Sequence, residues 1–167
     1  MKKEKMNDKG FSLVELIIVI AIMAVLVVVL APQYLKYVER SRNSTDLQNA
    51  TTAVTACQVY AADPDATTPY LASEDFTITV DSTGATVAGD NKAAAIAALN
   101  DASITVDTTT GKTTDLKCKS KTKWTTFTIT GKVDANGGIS FEYTSTPANA
   151  FKDAMAGNTT TPSGAGS

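Results

Sequence analysis

The sequence predicts an α+β fold. It has one long N-terminal helix, with a transmembrane half and an amphipathic half, packed against a small antiparallel β-sheet head. Three observations carry this. The run Phe11 to Leu30 is twenty residues of almost purely apolar character, broken by a single charge at Glu15. Helical spacing of apolar residues continues past it to about Ala62. After Asp63-Pro64-Asp65 the pattern changes to apolar residues alternating with threonine, the period of half-buried strands.

The first ten residues are polar and end in Gly10, with Lys2, Lys3, Lys5 and Lys9 outnumbering Glu4 and Asp8. This excess keeps the N-terminus cytoplasmic and sends everything after Leu30 across the membrane. At about 1.5 Å per residue the apolar run spans roughly 30 Å, one hydrocarbon thickness. That is longer than the core of a secretory signal peptide, and Pro32 follows the one small-residue candidate cleavage site, Val29-Leu30-Ala31. An anchor with an uncleaved leader is the remaining rival. Glu15 is the anomaly. Insertion scales set about 2.5–3.5 kcal/mol against an acid (Asp) at the centre of a spanning helix, so Glu15 needs a partner.

Pro32 is expected to bend or loosen the helix locally. Beyond it, Leu47, Ala50, Val54, Cys57 and Ala61 form a narrow apolar stripe, and Glu39, Arg40, Arg42, Asp46, Gln48 and Asn49 are assigned to the opposite, outward face. Asp63-Pro64-Asp65 and Pro69 end the helix near Ala62. Fifty-two helical residues from Phe11 make roughly 78 Å.

In the head, strands are expected around Phe76–Val80, Ile104–Val106, Trp124–Thr130 and Ile139–Ser145. The last two flank the turn Asp134-Ala135-Asn136-Gly137-Gly138. Ile139, Phe141 and Tyr143 share one face of their strand. Short helices are expected at Lys92–Leu99 and Ala148–Met155, the second between Pro147 and Gly157. The Thr/Gly/Ser-rich end, residues 158–167, reads as a mobile tail. The domain plan is therefore 1–10 leader, 11–31 transmembrane and assembly helix, 32–62 amphipathic continuation, 63–157 head and 158–167 tail. A head this small needs the stripe of the long helix as a second layer.

The stretch Lys9-Gly10-Phe11-Ser12-Leu13-Val14-Glu15 resembles the processing site of the type IV pilin and pseudopilin family. The resemblance is specific over Gly10–Leu30 and only architectural afterwards, where it implies the ladle shape of these proteins. It implies that a prepilin peptidase cuts after Gly10 and that Phe11 becomes the N-methylated first residue. It also implies that Phe11, Glu15 and Pro32 serve assembly, with Glu15 pairing with the new amine of its own or a neighbouring chain. The plainer reading of Glu15 is a helix-start acid favoured by the macrodipole. The implied partners are other copies of the chain, the peptidase, an assembly platform in the cytoplasmic membrane, and the membrane itself before assembly. The precursor would be a single-pass cytoplasmic-membrane protein and the product an extracellular filament. A structural subunit, a major pilin, is the reading adopted. The alternatives are a pseudopilin of a type II secretion or DNA-uptake apparatus, and an anchored adhesion or binding module that never polymerises.

Other features leave alternatives open. Cys57 and Cys118, both on the exported side, are either bridged, closing a loop of about 60 residues, or two separate buried thiols. The family's common bridge encloses a C-terminal loop instead and lends this pairing little support. Lys117, Lys119, Lys121 and Lys123 alternate so that, on a strand, four ammonium groups share one face. They make either an anion-binding comb, nucleic acid included, or a solvated face that discourages edge aggregation. The alternation changes parity after Trp124, which calls for a bulge or turn near Thr122–Thr126. Tyr34, Tyr37 and Tyr60 are read as packing residues rather than a conduction path. Asp63, Asp65 and Asp134 are read as turn residues rather than calcium ligands.

No cofactor or metal is called for. The chain has no histidine, no cysteine pair at metal-ligand spacing, no phosphate-cradling glycine loop and no nucleophile elbow. Taking the leader's four lysines and two acids from the chain's 15 basic and 17 acidic residues leaves 11 against 15, a net −4. Bulk charge thus argues against a dedicated nucleic-acid binder.

Overall fold

The computed structural model describes residues 12–157; Gly10, Phe11 and the 158–167 tail lie outside the described residues. The chain divides into two compact units, Met1–Val38 and Glu39–Ser167. Helix α1, Leu13–Ala61, contributes to both and continues through Pro32.

In the first unit the large apolar side chains from Leu13 to Leu30 are each more than half exposed. They find no core among the described residues, and the helix is long and apolar enough to cross a membrane.

The second unit is built on the rest of α1 and a five-stranded antiparallel sheet. Its strands are β1 (Asp75–Val80), β2 (Ala85–Gly89), β3 (Lys112–Thr113), β4 (Thr126–Val133) and β5 (Ile139–Thr146), in the order β3-β2-β1-β4-β5. β1 is central, with Ile78 opposite Val87 on one side and Ile129 on the other. Inward alternation gives Phe76, Ile78, Val80, Val87, Phe127 and Ile129 to one continuous core, shared with Ala50, Ala53, Cys57 and Tyr60 of α1. Gly131 faces Phe76 across the ladder, and a methyl group there would overlap the ring. Glycine in this strand makes room for the aromatic side chain.

Helix α2 (Lys92–Asp101) adds Ala94, Ala95, Ile96, Ala98 and Leu99 to the core, and helix α3 (Ala150–Met155) adds Phe151. Phe151 stacks on Phe127 with centroids 4.1 Å apart and meets Trp124 edge-on at 5.0 Å. α3 starts at Ala150, after Asn149 in the left-handed region, rather than directly behind Pro147.

Three sequence expectations are corrected. Ile104 and Val106 are buried but the segment forms no strand, because its amides go to side chains: Asp115 Oδ2 accepts from the Thr105 N–H at 2.8 Å and Asn100 Oδ1 from the Val106 N–H at 2.7 Å. The alanine-rich β2 was not expected; its short side chains gave too weak an alternation. β4 begins at Thr126, and the residues before it, Thr114 to Thr125, form a loop. That loop accounts for the parity change after Trp124.

Candidate functional site

The N-terminal site starts with Ser12, which precedes the first helical residue. Glu15 Oε2 accepts the Ser12 N–H at 2.9 Å, and Ser12 Oγ accepts the Val14 N–H at 3.4 Å. This is the Ser-x-x-Glu arrangement of a capping box, in which the third helical residue reaches back to the amide before the helix. The signal was present in the sequence as Ser12-Leu13-Val14-Glu15. Glu15 therefore has a local task at the start of the helix, and Phe11 lies outside the described residues.

A second polar centre lies on α1 within the second unit. Asp46 is completely buried. Its Oδ1 accepts the Lys119 N–H at 2.6 Å, and its Oδ2 accepts the Ser120 N–H at 2.9 Å and the Trp124 indole N–H at 2.8 Å. Seven residues earlier, two turns back on the same helix face, Glu39 Oε1 accepts from Lys121 N–H at 2.7 Å, Thr122 N–H at 2.9 Å and Ser120 O–H at 2.9 Å. Glu39 Oε2 pairs with Arg42 at 3.4 Å. Burial by itself would raise the Glu39 pKa; the hydrogen bonds from Lys121, Thr122 and Ser120 outweigh it and bring it down to about 2.

Two carboxylates on a helix thus hold a loop by its backbone. The expectation that Glu39 and Asp46 face outward is wrong. The stripe extends back through Asp46 one turn before Ala50, and a buried acid is tolerated there because the loop supplies donors to both of its oxygens. Extrapolating the apolar stripe by one turn would have found Asp46.

The four lysines fall in this loop, not on a strand. Lys119 and Lys121 are exposed, and Lys117 and Lys123 half-buried, with Lys123 Nζ 5.5 Å from the centre of the Trp124 ring. The carboxylates grip the backbone of Lys119 and Lys121, not their side chains.

Cys57 and Cys118 are both buried free thiols. Cys118 Sγ lies 3.5 Å from Asp46 Oδ2, whereas Cys57 stands eleven residues further along α1, roughly 16 Å of helix. The two sulfurs sit at different levels, so the considered bridge is not formed. Burial pushes the Cys57 thiol up to about 11; burial and the Asp46 carboxylate push Cys118 up to about 12.

Asp63 and Asp134 close turns, accepting the Asp65 N–H at 2.9 Å and the Asn136 and Gly138 N–H groups at 2.8 Å. Among the described residues no cluster of His, Cys, Asp or Glu is arranged to hold a metal ion. Tyr60 packs in the core, while Tyr34 and Tyr37 are exposed.

Residues 5–31 match the family model of the prokaryotic N-terminal methylation motif. No curated protein and no solved structure matches the chain. The motif and the exposed apolar helix fit a membrane-anchored precursor, a peptidase substrate of structural rather than enzymatic kind. Residues 5–31 are the N-terminal signal motif of the type IV pilins and pseudopilins.

Proposed function

We propose that the chain is the major structural subunit of a type IV pilus, matured by cleavage after Gly10 and N-methylation of Phe11 and polymerised through α1. The observation that carries this is Glu15. It is the one charge in the apolar run Phe11–Leu30, whose large side chains from Leu13 onward are exposed among the described residues, and it stands five residues after Gly10 within the matched motif.

Cleavage creates an amine at Phe11, close to one helical turn from the Glu15 carboxylate. In the lone subunit, Glu15 caps the Ser12 amide. In a bundle of such helices it reaches the amine of a neighbour, and desolvation makes a mis-staggered neighbour costly. The pair sets register, and the apolar faces supply cohesion. The motif is common to pseudopilins, so a pseudopilin of a type II secretion or DNA-uptake apparatus is the second reading.

The test is N-terminal mass analysis of protein sheared from intact cells. N-methyl-Phe11 in the sheared filament fraction is the expected result. An intact Met1 found only in membranes overturns it and leaves an anchored, non-polymerising module.

A further inference from the structure

The lysine loop has a consequence for the subunit before assembly. Glu39 and Asp46 grip backbone amides and form no ion pair with the loop's lysines, so their two carboxylates offset only part of the charge of Lys117, Lys119, Lys121, Lys123 and Arg40. Among the described residues the ion pairs are Arg42–Glu39 and Lys132–Glu142, so none of Lys117, Lys119, Lys121 and Lys123 is paired with a carboxylate. Exposed Arg40 lies on α1 next to Glu39. In a chain that is net acidic after its leader, this is a local concentration of positive charge.

Its distance from the membrane is bounded by the chain itself. Tyr34 and Tyr37 are exposed and follow the apolar run, where tyrosines mark the headgroup level of a spanning helix. Glu39 is two residues past Tyr37. Whatever the orientation of the two units, two residues of main chain span at most about 7 Å. Lys121 N–H is 2.7 Å from Glu39, so the loop backbone is one side-chain length beyond that limit. An anionic surface acts over a Debye length of about 8 Å at physiological salt. Nucleic acid would be drawn by the same charges, but only the lipid surface is brought there by the chain's own connectivity.

We infer that the loop carrying Lys119 and Lys121, clamped by Glu39 and Asp46 and joined by Arg40, is a contact site for anionic phospholipid headgroups that holds the second unit against the membrane before assembly. This rests on the reading of the chain as a membrane-held precursor.

The test places the mature full-length chain in lipid nanodiscs of phosphatidylcholine, with or without phosphatidylglycerol, plus a dansyl-headgroup lipid. Trp124, the only tryptophan, is the energy donor, and it sits in the loop. Transfer is expected to be higher in the anionic discs and to fall at high salt. Neutralising one lysine should lower the ratio of surface-held to released loop about fivefold, so Lys119→Gln with Lys121→Gln should lower that ratio about 25-fold. These side chains make none of the loop's anchoring hydrogen bonds, and an unchanged circular dichroism melt verifies the fold.

Equal transfer in both discs, or an unaltered double variant, overturns the inference. So does transfer that ignores anionic lipid but is quenched by added duplex DNA. Failure here with normal N-methyl-Phe11 filaments leaves the pilin reading standing. An unprocessed Met1 chain that keeps the lipid-dependent transfer removes the pilin reading instead.

Discussion

The indole N–H of Trp124 donates to Asp46 Oδ2 at 2.8 Å across seventy-eight positions of sequence, with both side chains fully buried. This bond joins the long helix to the aromatic cluster of Trp124, Phe127 and Phe151, and so couples the polar clamp to the core. An acid in that position is stable only while its donors are in place.

Asp46→Ala strands three donors, the Lys119 and Ser120 amides and the Trp124 indole, the last two of them buried. At about 1–3 kcal/mol for each unsatisfied group, the loss should be about 3 kcal/mol or more. The melting temperature by circular dichroism should drop by more than about 10 °C. Asp46→Asn, which keeps one acceptor, should fall between. A melt within about 2 °C of the parent for Asp46→Ala would show that the clamp contributes nothing.

Glu39 gives the fold an acid dependence. Its ordinary pKa of 4.5 is lowered to about 2 in the folded chain, so the unfolded chain takes up the proton first as pH falls. The stabilisation is fully present above about 4.5 and is lost progressively down to about 2. The urea midpoint should decline through that window, and Glu39→Gln should remove part of the decline while lowering the midpoint at neutral pH. An NMR titration placing the Glu39 carboxyl at an ordinary value would contradict this.

The thiols should be silent. With Cys57 raised to about 11 and Cys118 to about 12 by burial, neither is ionised at pH 8, and neither is open to reagent. Ellman's reagent should find no fast thiol in the native chain and two in denaturant. A bridged mass in non-reduced protein would be the opposite result.

For assembly, Glu15→Ala should leave membrane insertion intact and abolish normal filament yield. Gly10→Val should accumulate full-length precursor. Unchanged filaments from the first variant remove the register role, and normal mature subunit from the second means that the cut lies elsewhere.

The sequence made the two ends of this argument legible for different reasons. The motif over residues 5–31 could be read because a span fit to cross a membrane needs an almost uninterrupted apolar run, against which one acid, Glu15, stands out. β1, β4 and β5 could be read because Phe, Ile and Val alternate strongly with threonine. Trp124, Lys123 and their neighbours misled because lysine alternating with small polar residues imitates strand periodicity when the backbone is a loop bonded to side chains. Glu39 and Asp46 were hidden for the matching reason. Their partners are main-chain amides more than seventy residues away, and amides carry no residue identity.

That separation has a further consequence for the order of events during synthesis. The helical acids at positions 39 and 46 leave the ribosome early, whereas the amides that satisfy them belong to residues 119–122. Until that later stretch has emerged, both carboxylates remain hydrated, and the inner face of the helix has neither sheet nor clamp to cover it. Closure of the second unit is therefore a late, long-range event that pays its loop entropy before its contacts form. A chain truncated before Trp124 should keep a helix without a fold around it.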